Sequence, residues 1–393
     1  MNFKKCCLVA ILVITSNFVI YAQNARFSQI GTIATQLNPS LTGRFDGKAR
    51  MSNLFGWYTS DNPKNGYAET QHQAISFDMK FGKYRTSGDD ATAKKNSTSP
   101  SNKEAAKDES LKSKKQNGYW GIGMNYYHYS APKSPIEASF ISFSVARHFY
   151  NKSNKFYGFG LQVNNASGKL DRTKGTQYDR EISGGGFPYR DTPFLNVIQN
   201  KKTYTDVNIG AYYGMNTEPV LFEMGVSLSH LFYPVFDLYN DKDKSKLRHR
   251  VSAYSNLRLK LNNKWGLVQK NVYWKEGLYY RSTNDYTNIA VDKKNEWDAP
   301  FVSFWTGVEF YKINPKSDIN LNFGLNSRNF RTLMPCFNLN IGKYVDLRYS
   351  YEMPINSKIY RAYSAQRNEI GLVLSYGRNT TRGTNFYKKI NFW

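Results

Sequence analysis

Cysteine is almost missing from this chain: three occur in 393 residues, Cys6, Cys7 and Cys336. The first two stand ahead of an apolar core running from Leu8 to Ile14 and would leave with a cleaved leader, so one thiol remains. That excludes an intramolecular disulfide and leaves packing, or a membrane, to hold the fold. A lone Cys on a strand reads as a small inert hydrophobe. Long apolar runs are missing too. Past residue 22 nothing approaches the roughly 18 uninterrupted apolar residues of a spanning helix. Histidine is scarce: His72, His128, His148, His230 and His249 fall in no HExxH motif and at no metal-ligand spacing with a cysteine. There is no G-x-S-x-G elbow. Gly184-Gly185-Gly186 lacks the strand, helix and Lys-Ser/Thr pair of a phosphate cradle. The expectation is no enzyme, no catalytic residue, no metal and no cofactor, although Ser, His and an amide gathered from separate strands would leave no linear trace.

Acid is the other shortage. Lys and Arg number 54 against 30 Asp and Glu, a formal charge of +24. In a cytosolic protein that balance suggests nucleic acid. The N terminus argues against it. Lys4 and Lys5, the short apolar core and Ala22 before Gln23 read as a secretory signal peptide over residues 1–22. For an exported chain no nucleic-acid partner is expected. The cations are then loop surface, or rim groups that meet lipid phosphates or acidic partners.

What the chain has in quantity is strict alternation. Ile75, Phe77, Met79 and Phe81 interleave with Ser76, Asp78, Lys80 and Gly82. Tyr157, Phe159, Leu161 and Val163 interleave with Gly158, Gly160, Gln162 and Asn164. Ile319, Leu321, Phe323 and Leu325 interleave with Asn320, Asn322, Gly324 and Asn326. A soluble sandwich shares this period, but its polar face is usually rich in Lys, Glu and Thr. Here that face is Gly, Asn and Ser, which suits a crowded, hydrated interior. Aromatic doublets near strand ends (Tyr126-Tyr127, Tyr212-Tyr213, Tyr279-Tyr280) suit an interfacial girdle. The pattern predicts an all-β fold, a closed transmembrane antiparallel β-barrel of about 14 strands. The segments are 48–58, 72–83, 118–128, 138–149, 156–164, 204–215, 220–231, 250–261, 266–280, 300–311, 318–326, 336–342, 345–352 and 368–377. An even number closes such a barrel. Asp78, Asp206 and Glu223 should face the lumen and pair with Lys80, Arg258 or Lys260, while His148 and His230 should sit at the rim.

Connections 150–155, 216–219, 262–265, 312–317 and 343–344 are short; 165–203, 232–249, 281–299 and 353–367 are longer. With both termini in the periplasm the short set lies there. Connection 85–117 breaks the rule. It has no aromatic residue and is dominated by Ala, Ser, Lys, Asp and Glu, so disorder is expected, as a tolerated insertion or a weak docking element.

Two further stretches carry a resemblance. Phe27-Ser28-Gln29, then Asn38-Pro39, Gly43 and a strand ending in Trp57, resembles the opening of the PorP/SprF family, outer-membrane proteins of the type IX secretion system. Asn53 to Gly56 stand where that family usually shows Tyr-Arg and Gln. Near the other end, Asp346-Leu347-Arg348-Tyr349-Ser350-Tyr351-Glu352 is similar to its penultimate-strand signature, with Glu352 in place of Asp. The run Asn368-Glu369-Ile370-Gly371 is similar to its closing strand, with Gln366-Arg367-Asn368 where Ser-His is usual. The resemblance covers both ends of the chain and implies a Gram-negative outer-membrane location with outer-membrane lipid around the barrel. It also implies a role in exporting or anchoring a large secreted surface protein, often an adhesin used in gliding motility. The implied partners are periplasmic and outer-membrane secretion components. A general porin-like channel is the alternative.

The expected organisation is a signal peptide (1–22), an N-terminal periplasmic or lumenal segment (23–47), a barrel (48–377) and a basic-aromatic periplasmic tail (378–393). Candidate motif or docking residues are Phe27, Ser28, Gln29, Asn38, Pro39, Gly43, Trp57, Arg348, Tyr349, Ser350, Tyr351 and Glu369. Pro39 biases Asn38 toward an extended shape and Gly43 permits positive φ. Phe392 and Trp393 join the candidates as aromatic anchors of the tail, whose Arg378, Arg382, Lys388 and Lys389 would supply orientation. Tyr387 to Trp393 is too short for the roughly 9–11 residues of a tilted spanning strand.

Overall fold

The computed structural model describes residues 27, 29–45, 47–60, 70–82, 118–130, 136–151, 154–170, 202–217, 219–235, 246–261, 272–282, 301–310, 319–330, 332–342, 344–355 and 365–377. Residues 1–26, Ser28, the 85–117 connection and the tail with Phe392 and Trp393 lie outside them.

Fourteen antiparallel strands close into one barrel, each pairing with its neighbours in sequence and β1 with β14. They are β1 (Ala49–Ser60), β2 (Thr70–Phe81), β3 (Gly118–Ser130), β4 (Ile136–Tyr150), β5 (Lys155–Leu170), β6 (Lys202–Thr217) and β7 (Val220–Ser229). Then come β8 (Arg250–Leu261), β9 (Val272–Arg281), β10 (Phe301–Phe310), β11 (Ile319–Arg328), β12 (Thr332–Ile341), β13 (Val345–Pro354) and β14 (Ala365–Tyr376). Closure is carried by a register in which Ala49 opposes Tyr376 on one side and Met79 on the other. The chain enters at Lys48 and leaves at Gly377 at one end, called here the near end.

Alternation sorts the side chains as a barrel requires. Phe143, Phe159 and Val226 stand 60%, 57% and 56% exposed on the outside, while Ser142, Gln162 and Ser227 are buried inside. An apolar outer wall of this extent, with every ladder closed, is stable only in lipid. Phe143→Arg, at the middle of β4, should therefore cost about 2–4 kcal/mol of folding into lipid vesicles. A urea titration of membrane insertion measures it; an unchanged midpoint would mean that this wall does not face hydrocarbon.

Every predicted segment coincides with a strand, and the differences have local causes. β12 starts at Thr332, four residues before 336, and so contains Pro335. Pro335 lacks an N–H, and the β12–β13 ladder skips Met334 and Pro335, while the β11 side pairs throughout. β5 and β6 run on to Leu170 and back to Lys202, beyond 164 and 204. β7 stops at Ser229, short of 231, because His230 takes φ 62°. β9 begins at Val272; 266–271 lie outside the described residues.

The aromatic doublets are not purely a girdle. Alternation turns one ring of each pair inward, so Tyr127, Tyr212 and Tyr279 are buried in the lumen at 4%, 3% and 6% exposure. The histidines depart from expectation as well. His148 and His230 are buried, not on the rim: His148 points inward from β4, and His230 Nδ1 lies 3.0 Å from Asp206 Oδ2.

Candidate functional site

The lumen is occupied by the chain's own N-terminal segment. Residues 27–45 follow an irregular path built from a 3-10 turn (Ile30–Ile33), one α-turn (Ala34–Leu37) and a second 3-10 turn (Pro39–Leu41). Such short turns leave many backbone groups unpaired within the segment, and the barrel's inner face supplies partners for them.

At the far end of the lumen Phe27 sets its ring edge-on to His72 and Tyr127, at centroid distances of 5.1 and 5.5 Å. Gln29 donates its backbone N–H to Glu369 Oε2 at 2.9 Å. Its side-chain amide donates to Ser350 Oγ and to the Glu369 carbonyl, each at 3.1 Å. Arg348 Nη1 donates to Thr32 Oγ1 at 3.0 Å. Motif residues more than 300 positions apart thus form one contact. Beneath it Arg367, fully buried, reaches Glu369 at 2.5 Å, Glu352 at 3.7 Å and His72 Nε2 at 2.7 Å. Arg328 meets Glu352 at 3.2 Å.

Toward the near end Asn38 is the pivot. It is extended (φ −156°, ψ 123°), consistent with the proline after it. Its Nδ2 donates to the carbonyls of Ala211 and Val226 at 3.1 and 3.0 Å, and its Oδ1 caps the turn by accepting from Ser40 N and Ser40 Oγ. Thr42 Oγ1 donates to Ser144 Oγ at 2.8 Å, and His148 Nε2 lies 2.7 Å from the Thr42 carbonyl, with Tyr212 Oη on the other ring nitrogen. Gly43 takes φ 74°, where a side chain would be strained, and donates its N–H to Asp78 Oδ2 at 2.8 Å. Arg44 pairs with Glu223 at 3.2 Å and lies 4.4 Å from the Phe156 ring centre. Burial disfavours the Arg44 charge and the Glu223 carboxylate beside it favours it, so the buried guanidinium depends on this partner. Lys80 Nζ donates to the Phe45 carbonyl.

The expected carboxylate partners therefore change. Asp78 binds Arg50 and the Gly43 amide, Asp206 binds His230, and Glu223 binds Arg44 and Tyr254. Arg258 goes to Glu309 at 2.9 Å, together with Lys275. The inserted segment brings its own cation and its own donors, which strand pattern alone does not reveal.

Glycine on the inner face is explained by close approach more than by hydration. A Cβ on Gly160 would lie 2.3 Å from the Pro39 backbone. One on Gly210 would lie 1.9 Å from Asn38 Oδ1, and one on Gly121 2.2 Å from the Thr42 carbonyl. The residues missed in the sequence are Thr32, Thr35, Thr42 and Arg44, which meet the side chains of Arg348, Asn125, Ser144 and Glu223 across the lumen, and His148, which meets the Thr42 carbonyl. The run of small residues opposite them was the signal that could have found them.

Not every candidate joins this site. Trp57 is half-buried on the outside, 5.7 Å from Phe55. Tyr349 and Tyr351 also alternate outward, with Tyr349 Oη donating to Asn368 Oδ1 at 2.8 Å. Above the segment a cavity of about 120 Å³ opens toward the far end, with Phe27, Ile33, Gln36 and Leu37 as its floor. Among the described residues no cluster of three or more His, Cys, Asp or Glu stands where it could hold a metal.

A closed barrel with an apolar outer wall and a packed polar interior is an outer-membrane β-barrel protein. The chain belongs to the PorP/SprF family, type IX secretion system membrane proteins, whose model matches residues 19–374. A comparison with curated proteins finds no match. Among solved structures, the TodX monoaromatic hydrocarbon channel deltaS2 mutant is similar at 8% identity and TM-score 0.43, over 89% of this chain and 95% of that one. The Pseudomonas putida toluene transporter TodX is similar at 9% identity and TM-score 0.41, over 92% and 94%. BamA from Haemophilus ducreyi, lacking POTRA domains 1–3, is similar at 11% identity and TM-score 0.36, over 83% and 70%.

Proposed function

We propose that this protein is a plugged scaffold, not a free diffusion pore. It supports the export or surface anchoring of a large secreted protein, such as an adhesin used in gliding, after its own export by a cleaved signal peptide over residues 1–22. The observation that carries this reading is the N-terminal segment seated in the lumen by hydrogen bonds and an ion pair to Asp78, Ser144, Glu223, Ser350 and Glu369. A general porin would need that volume for water. Its partners in this reading are periplasmic and outer-membrane secretion components, met at the near end by the backbone around Lys48 and Gly377 and by the basic-aromatic tail, 378–393. No catalytic step is assigned to it.

The discriminating experiment is deletion of the gene, with the surface proteome and purified-barrel conductance measured side by side. The expected outcome is loss of particular surface proteins and little steady current from the purified wild type. An intact surface proteome together with a steady porin-like current would overturn the proposal. Truncation after Gly377 tests the tail: the barrel should still insert and be heat-modifiable, while capture of periplasmic components falls. Failure to insert would mean that the tail is part of the barrel.

A further inference from the structure

Charge is rare on the outer wall of the described strands, and where it occurs near mid-wall it is answered. Glu276 on β9 accepts from Trp274 Nε1 at 2.8 Å. Arg147 on β4 is different. It lies three residues from the near end of its strand, on the outward face between Val145 and Phe149. Its guanidinium carbon is 5.1 Å from the Trp120 ring centre and 5.3 Å from that of Phe149. Among the described residues the group has these two rings and no carboxylate or carbonyl partner. The rings hold the guanidinium in place, while no described residue takes its in-plane N–H donors.

An unanswered cation next to hydrocarbon is costly, and less so where it can reach the interface. The surroundings fit that depth. Phe149 stacks on Tyr157 at 5.1 Å, Trp120 and Tyr157 are 48% and 40% exposed, and Lys155 opens β5 at the same edge. Aromatic side chains with a polar tip mark the headgroup level, and a planar guanidinium matches a phosphate in bidentate fashion.

We propose that Arg147, cradled by Trp120 and Phe149, is a binding site for the phosphate of a glycerophospholipid in the leaflet at the near end. This rests on the outer-membrane reading, and on the near end being periplasmic because the described chain enters and leaves the barrel there. It does not depend on the role in secretion. A phosphate contact at this level would fix the depth and tilt of the β3–β5 wall, the side against which Pro39–Leu41 packs.

The test uses the full-length mature protein in detergent, with phosphatidylglycerol added and native mass spectrometry as the readout. The wild type should keep one phosphatidylglycerol under conditions that strip the rest, and Arg147→Gln should need about tenfold more lipid for the same occupancy, as expected for losing a charge-assisted bidentate contact. Arg147→Lys should fall between, because it keeps the charge and loses the fork. Trp120→Leu removes a ring and leaves the cation; it should also weaken retention, and it decides the matter if Arg147→Gln does not fold. Inorganic phosphate without acyl chains should not give the adduct. Equal lipid retention by the wild type, Arg147→Gln and Trp120→Leu, or an equally tight inorganic phosphate adduct, would overturn the proposal.

Discussion

Gly160→Val should unseat the N-terminal segment while leaving the barrel closed. The new side chain begins 2.3 Å from the Pro39 backbone, which has no rotamer with which to yield, so the turn at Pro39–Leu41 must move bodily. The strand itself is not harmed, since Val is favoured in β5 and Gly160 opposes Ala146 and Gly210. A steady conductance should appear where the wild type passes little, and a cysteine at position 39 should become reactive. Asn38→Ala is the milder comparator. It leaves the Ala211 and Val226 carbonyls and the Ser40 amide without their partner, at roughly 1–3 kcal/mol for each buried group left unmade. Position 39 in Gly160→Val remaining as shielded as in the wild type, with no new current, would contradict the packing described.

Glu369→Ala should destabilise the far half of the barrel more than any single change to the inserted segment. Glu369 answers both Arg367, which is fully buried, and the backbone of Gln29. Removing it strands a buried cation, at about 3–5 kcal/mol. Glu369→Gln loses the same charge but keeps an acceptor for the Gln29 N–H, and so should cost less. Comparing the unfolding midpoints of the two variants in lipid checks this. Equal losses would mean that the ion pair to Arg367, which both variants lose, and not the hydrogen bond to Gln29, sets the stability there.

Strand identity and strand number were legible because a two-residue period with lipid outside and polar groups inside leaves a repeated trace in the sequence. Segment ends were less so. Pro335 sits inside β12 where a proline usually argues against a strand, and the ladder tolerates it by dropping two pairs on one side. The motif residues Phe27, Gln29, Asn38, Pro39, Gly43, Arg348, Ser350 and Glu369 could be singled out, but not the contact between Gln29 and Glu369, which lies across 340 residues and has no local signature. Tyr349, Tyr351 and Trp57 belong to the opposite face, which alternation alone specifies. Arg44 was invisible for a simpler reason. One arginine in a basic chain stands out only when its carboxylate, Glu223 on β7, is seen to be buried beside it.

In a plugged scaffold the lumen stays filled while the protein supports secretion. Cysteines in place of Thr42 and Ser144, whose hydroxyl oxygens lie 2.8 Å apart, would tie the segment to β4 when oxidised; Cys336, the one cysteine among the described residues, is buried elsewhere in the lumen. The measurement is surface delivery of the dependent secreted protein by cells carrying the locked pair, before and after reduction. Delivery equal to wild type with the lock in place is the result predicted. Delivery that stops on locking and returns on reduction would show that cargo passes through the lumen, and would contradict the plugged scaffold.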